Sequence, residues 1–404
     1  MQRKVLLLGA GQEQCIAIEQ AKALDYSVVA CDSNSDAPGL KLADHGIVCD
    51  ISDVDNLVTI GRAHSINGIF CHAVEIPEVV ARVAEALGLP GLKPEVAHKC
   101  THKSIRIAAL TDAGIPCADF EKVSSSSQLI KIGERFGFPL VLKPVDNAGS
   151  RGVRIVRSAA ELGPAYDEAM QYSKKEEVLI ERVLNGPQIS TESVVYQGKV
   201  ITFAFADRNY ESQELYNPYF IENGINFPSI LPAEQVKEIL ELVDRTIAVL
   251  GIDFGAAKGD IIIHNGVPHI IEMACRTSGG WFGAGSIPKA TGVNALKPLL
   301  QMCAGDIPDL DELNPKMNLA CAQRYWIPKQ RAVFNGLSNL KDIALMDGVQ
   351  MCNIFFPPIG EVMEKATHHA QRYAQVICTA PNRELAVALA EAAIDSIDVN
   401  MTLL

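Results

Sequence analysis

Residues 138–156 read FPLVLKPVDNAGSRGVRIV. An apolar, β-type run at 139–142 delivers Lys143. A loop of small and polar residues follows at 146–152, and a second apolar run at 153–156 closes it. The pattern is strand, flexible loop, strand. Gly149 and Gly152 carry no Cβ, so the loop backbone can approach an anion closely and offer it N–H groups. Lys143 sets a point charge beside that loop. The stretch reads as a nucleotide phosphate grip, and the rest of the chain has to supply the remainder of the site.

Upstream, apolar runs alternate with helical patterns. Strands are expected at 4–8, 27–31 and 68–71, with helices at 13–24, 55–64 and 77–87. That alternation predicts a doubly wound parallel α/β domain over 1–98. Gly9-Ala10-Gly11 with Asp32 about 20 residues on imitates half a dinucleotide fingerprint, but Gln14 stands at the third glycine position. The two glycines are read first as shaping a strand-to-helix turn, with a substrate loop or an NAD site as the alternatives. Downstream of the grip, hairpins are expected at 189–206 and 254–273, the second closed by Asn265-Gly266, a pair suited to tight primed turns. Between them, 208–228 is polar, aromatic and aperiodic, which marks a lid or binding loop rather than filler. A helix is expected at 233–250, and from about 315 the chain changes to strands, turns and a last helix, which reads as a separate α+β unit.

The 404 residues carry a net charge of −12, which gives no general electrostatic reason to bind nucleic acid or an anionic membrane. No uncharged apolar run approaches the roughly 18 residues of a membrane helix. The 11 cysteines are dispersed and form no C-x-x-C pair, which reads as reduced thiols in the cytoplasm.

Asp260 and Glu272 lie on the two strands of the second hairpin, each among apolar neighbours, so both can face one side. Two carboxylates with no lysine identified on that face would repel, and Mg²⁺ would cancel the repulsion. Two exposed strand carboxylates are the plain alternative. Arg276, four residues beyond Glu272, could aim a guanidinium suited to phosphate or a tetrahedral oxyanion into the same site. Cys275 reads as a packed strand residue, His264 as an exposed turn residue, and His368-His369 as a solvated pair.

Lys103, Lys143, Glu181, Val183, Asp260, Glu272 and Arg276, in that order, resemble the motif set of the ATP-grasp superfamily over residues 1–310. The last ~90 residues resemble the C-terminal extension of its carboxylate–amine ligases, the L-amino acid ligases among them. The resemblance implies an ATP-grasp domain at 99–310, with a nucleotide flap subdomain at 118–186, and a C-terminal α+β extension at 311–404. It implies ATP, with Mg²⁺ or Mn²⁺, as cofactor. Lys103 and Lys143 would meet the phosphates under a flap of Asn147, Gly149, Ser150 and Gly152. Glu181 and the Val183 backbone would hold adenine, and Gln188 and Glu192 the ribose. Asp260 and Glu272 would hold the metal, and Arg276 the acyl phosphate and tetrahedral intermediate. Ser278, Gly279 and Gly280 would touch the substrate carboxylate beside a wall formed by Trp281.

Two positions depart from the pattern: Ala274 stands where Asn is usual, and Asp260 where Glu is commoner. The implied activity is amide or peptide bond formation through an acyl phosphate, with small-molecule carboxylate and amine substrates and a homodimer as the assembly it admits. A purine-pathway-like ligase using bicarbonate or formate, and a non-catalytic ATP-binding protein, stand as alternatives. Tyr210 and its neighbours in the 208–228 loop, and Arg324 and Trp326 further on, are further candidates for reading the substrate. Glu75 and His72 sit where parallel sheets place ligands, although a helix start at Pro77 explains them nearly as well.

Overall fold

In a computed structural model of the protein, residues 2–175 and 177–404 are described. The N-terminal sheet is parallel. Lys4–Leu8 lies between Ser27–Asp32 and Gly68–Cys71, with His45–Val48 on the outer edge. His45–Val48 is largely exposed and too polar to announce itself as a strand. The Gly9-Ala10-Gly11 turn is tied down by Asp32, whose carboxylate accepts from the N–H of Ala10 (2.7 Å) and of Asn34 (2.8 Å). Both oxygens of Asp32 thus serve the turn, which favours the structural explanation of this motif.

A four-stranded antiparallel sheet carries the flap. Leu140–Pro144 pairs with Arg154–Val156 on one side and Val178–Arg182 on the other, and Phe120–Val123 lies outermost. Helices Ser126–Phe136 and Ala159–Tyr172 cover one face, burying Leu129, Leu140, Leu142, Leu162 and Ile180. The loop between Leu140–Pro144 and Arg154–Val156 turns through three positive φ values, at Gly149 (67°), Ser150 (60°) and Gly152 (68°). A Cβ on Gly152 would sit 2.9 Å from the Tyr172 ring, so this glycine seats the loop on its helix.

The largest sheet has eight strands. Val267–Ala274, Phe254–His264, Gln188–Tyr196 and Lys199–Arg208 continue through Ile225–Phe227 into Ala320–Trp326, Ala374–Ala380 and Val349–Ile354. The 208–228 segment is therefore not wholly irregular: its end forms a three-residue strand that pairs with Lys199–Arg208 and with Ala320–Trp326. The C-terminal chain, expected as an α+β unit, shares this sheet with the central body. The C-terminal chain is bolted to the centre by backbone ladders, and its side chains reach the same cleft. Lys93-Pro94 opens a helix, Pro94–Thr101, with proline in its first turn where the missing N–H costs nothing.

The N-terminal sheet packs on the central body at close quarters. Gly68 faces the end of helix Leu296–Cys303, and a Cβ there would lie 2.2 Å from the Cys303 carbonyl oxygen. We expect Gly68→Ala to lower stability by about 1–3 kcal/mol through overpacking, read as a lower urea midpoint with an unchanged slope. An unchanged midpoint would mean that this contact yields freely.

Candidate active site

A cleft of about 530 Å³ opens between the flap sheet, the central sheet and the N-terminal domain. Nine Lys and Arg side chains and five Asp and Glu side chains line it, in a chain that is acidic as a whole. The local excess of positive charge suits an anionic ligand.

Lys143 ends its strand buried, with Nζ 2.6 Å from Glu181 Oε1 on the neighbouring strand. Lys103, in the first turn of helix Lys103–Asp112, donates its ammonium to the Asn147 carbonyl in the flap loop. Burial draws the ammonium of Lys103 below its ordinary range, while Glu272 pulls the other way. Asn147, Gly149, Ser150 and Gln188 also line the cleft; Gly152 and Val183 are not among its walls.

Asp260 and Glu272 are direct register partners, so they do share a face. A β-bulge at this point of the ladder separates the Asp260–Glu272 pair from the Ile261–Ile270 pair. The expectation that no lysine shares their face is overturned. Lys258, two residues before Asp260 on the same strand, places its ammonium on Asp260 Oδ2. Arg208 Nη1 lies 3.1 Å from the same oxygen, and Ser190 donates to Oδ1 at 2.9 Å. Arg106, only 4% exposed, reaches Glu272 Oε1 at 3.1 Å and also donates to the Cys100 carbonyl. Burial pushes both carboxyls upward, but Arg208 and Lys258 outweigh it at Asp260, and Arg106 and Lys103 at Glu272. Both are held below their ordinary range.

The pair therefore remains ionised at neutral pH. Among the described residues no cluster of three or more His, Cys, Asp or Glu could hold a metal. Two ionised oxygen donors on one face fit a hard cation such as Mg²⁺ that takes its other ligands from phosphate and water. Ala274 is buried in the strand directly opposite Lys258, so no third oxygen donor comes from that position.

Arg276 is clamped by Glu75 of the N-terminal domain, whose carboxylate accepts from both Nε and Nη2, and it donates to the Thr277 carbonyl at 2.9 Å. His72 lies behind it, fully buried, with Nδ1 2.9 Å from Thr277 Oγ1. Burial, aided by Arg276, lowers His72 to about 4, so it stays neutral. Ser278, Gly279 and Gly280 line the cleft.

Two expected contacts are placed elsewhere. Glu192 is 1% exposed and lies beneath the 278–283 loop, accepting from Ser278 N (3.0 Å) and Oγ (2.5 Å). Gln188, Ser190 and Glu192 alternate onto one face, but the third of them runs under this loop instead of into the cleft. Glu192 thus supports the loop and is not among the residues that line the cleft. Trp281 is 7% exposed and packs on Ala290, Cys321 and Ile377, so its ring is a core residue and no wall of the pocket.

The C-terminal chain supplies walls that sequence reasoning did not assign. Tyr325, Gln323, His369 and Arg372 line the cleft, with the Arg372 guanidinium 3.9 Å from the Tyr325 ring centre. Arg324 and Trp326, singled out instead, turn away: Arg324 holds Asn226 and Glu391, and Trp326 packs on Phe356. Strand alternation explains the exchange, since 323 and 325 face one side and 324 and 326 the other. His369 is half-buried rather than freely solvated, as it meets both the flap and the loop at Glu222. All 11 cysteines are free thiols, and no helix among the described residues is long and apolar enough to cross a membrane.

Residues 109–279 match the family model for the D-ala D-ala ligase C-terminus, and residues 324–402 that for the L-amino acid ligase C-terminal domain 2. With this site, the chain is similar to the ligases of the ATP-grasp class, whose members form C–N bonds, and it resembles the carboxylate–amine ligases within that class. The L-amino acid ligase from Bacillus licheniformis shares the fold, with a TM-score of 0.86 at 20% identity over 99% of this chain and 98% of that one. A formate-dependent phosphoribosylglycinamide formyltransferase of Prochlorococcus marinus is 31% identical over 196 residues, 46% of this chain and 48% of that protein. A D-alanine–D-alanine ligase of Ralstonia nicotianae is 28% identical over 201 residues, 47% of this chain and 58% of that protein. The chain thus spans about half the length of these two curated relatives.

The 278–283 loop is held from the N-terminal domain. Glu13 accepts from Gly280 N (3.2 Å) and Trp281 N (2.7 Å), fixing two successive residues with positive φ, 72° and 63°. Burial raises the Glu13 carboxyl from 4.5 to about 7 against these hydrogen bonds. The folded protein thus keeps this proton where the unfolded chain has lost it. The group's contribution to stability is full below about pH 4.5 and declines as pH rises through about 7. Glu13→Gln removes this titration. The melting temperature of the variant minus that of the wild type should increase from pH 5 to pH 8 in calorimetry. A difference independent of pH would refute the assignment.

Proposed function

We propose that the protein is an ATP-dependent carboxylate–amine ligase that forms an amide or peptide bond and releases ADP and phosphate. One observation carries this reading: a single cleft joins the Lys103–Lys143 flap to an ionised carboxylate pair and to Arg276. A carboxylate resists nucleophiles because of its own charge. Attack of its oxygen on the γ-phosphorus of ATP breaks the bond to ADP and leaves an acyl phosphate. The substrate amine then adds to the acyl carbon, phosphate departs with the C–O bonding pair, and the amine nitrogen gives up a proton.

In this reading Lys103 and Lys143 offset the charge of the phosphates, and the loop at 147–152 shields them from water. Glu181, Arg182 and Leu184 border the base, and Gln188 and Ser190 the ribose side. Asp260 and Glu272 would hold Mg²⁺, or Mn²⁺ in its place, which when bound neutralises phosphate charge. Arg276, kept in place by Glu75, offsets the charge on the tetrahedral oxygen. No protein nucleophile is required. The similarity to the formate-dependent formyltransferase favours one second reading, formate as the acid and a glycinamide ribonucleotide as the amine.

Release of ADP by the purified protein with Mg-ATP, measured with a panel of amino acids and with formate plus glycinamide ribonucleotide, decides between the two. No release with either mixture would sink both. In the active mixture, Lys143→Ala should weaken Mg-ATP binding at least about tenfold, the worth of one charge-assisted contact. Arg276→Ala should lower kcat by about 10²–10³, the usual cost of losing one preorganised oxyanion donor. Wild-type Mg-ATP affinity in Lys143→Ala would remove the phosphate grip from the proposal.

A further inference from the structure

Three chain segments far apart in sequence meet at one imidazole. His369 lies in the short turn His369–Gln371, between the last core strands of the C-terminal chain. Its backbone N–H donates to the Gly149 carbonyl at 3.0 Å, at the tip of the phosphate flap. Its Nε2 lies 3.3 Å from Ser150 Oγ, the next residue of that flap. The same Nε2 accepts from the Glu222 N–H, also at 3.3 Å, in the loop over the substrate end. The ring further meets the Phe220 backbone, and the His369 carbonyl accepts from Arg372 Nε at 3.2 Å.

A nitrogen that faces the Glu222 N–H must present a lone pair, so the ring proton belongs on Nδ1. The neutral ring this requires is the form its surroundings favour. Burial lowers its proton affinity well below the ordinary range, and Arg372 and Arg208 act in the same direction. Nothing in the phosphoryl chemistry needs this imidazole, yet it touches the nucleotide flap, the substrate loop and the base of Arg372.

We infer that His369 is a positioning residue, a latch by which the C-terminal chain holds the phosphate flap closed and ties it to the substrate loop. The geometry is specific to the flap tip. Gly149 and Ser150 both have positive φ, so the Gly149 carbonyl and Ser150 hydroxyl are presented by a bend the flap adopts there. A second contact steadies the flap from the other side: the Ile155 N–H donates to the Pro218 carbonyl at 2.8 Å, and Arg154 bridges Tyr219. The flap is thus pinned at its base by the 208–228 segment and at its tip by His369. Opening the flap to admit or release nucleotide must break the tip contacts, and those contacts reach the substrate side through Glu222.

The inference rests on the proposed nucleotide site, but its test does not depend on that site alone. Arg151 in the flap is a trypsin site two residues past Gly149, and its cleavage rate, read by mass spectrometry, reports flap opening with or without nucleotide. In the nucleotide-free protein, His369→Ala should speed cleavage after Arg151 about tenfold, as expected for the loss of one or two hydrogen bonds. With Mg-AMPPNP as the probe, the same variant should release nucleotide about tenfold faster. His369→Gln, which keeps an acceptor near the place of Nε2, should recover most of both effects. Ser150→Ala, which removes only the flap side of the contact, should give a smaller change of the same sign with an unchanged melting temperature.

Wild-type cleavage and release rates in His369→Ala and Ser150→Ala would overturn the latch. So would a His369→Gln protein as impaired as His369→Ala, since packing alone would then explain the effect. If the wild type binds no Mg-AMPPNP, the nucleotide reading fails, while the cleavage rates in the free protein still decide the latch.

Discussion

The structure depends on keeping two carboxylates, Asp260 and Glu272, charged side by side in one cleft. Buried like charges on adjacent strands would neutralise by taking up protons unless cations stand against them. Lys258 and Arg208 do this for Asp260, and Arg106 for Glu272. Each cation comes from a different element: the same strand, the end of the neighbouring hairpin and the first turns of a helix. The charge requirement therefore fixes how three elements meet, and the cleft exists where they do.

Arg276 extends the arrangement outward. Its guanidinium is oriented by Glu75, and the loop that follows it is supported from below by Glu192 and from the N-terminal domain by Glu13. The N-terminal domain thus shapes the end of the cleft at Arg276 and Gly280. Its glycine turn, which resembles half a dinucleotide fingerprint, is closed by Asp32 and serves the turn itself.

Much of this was legible in the sequence, for identifiable reasons. The flap showed because a lysine, small residues and two glycines fall between two apolar runs, and local patterns report local structure. Asp260 and Glu272 showed because Asn265-Gly266 sets the hairpin register. Lys258 was legible by the same period of two and was overlooked. Arg106 and Glu75 were less accessible, because their partners lie 166 and 201 residues away. Glu192 was misplaced because alternation gives a face, not how far along the strand that face stays open, and Trp281 because it sits in a loop with positive φ, where no period sets the side-chain direction. His369 carried no signal at all, since its neighbours are brought to it by the sheet.

The eight-stranded sheet has a consequence for how the molecule is assembled. A strand of only three residues, Ile225–Phe227, splices the C-terminal ladder to the older half of the sheet. A chain ending before Ala320 would leave that strand's outer edge unpaired and its apolar face bare. Such an edge is a template for another chain. The last fifth is therefore a cover for a sticky seam as much as a wall of the cleft, and a nascent chain remains prone to self-association until Ala320–Trp326 has docked.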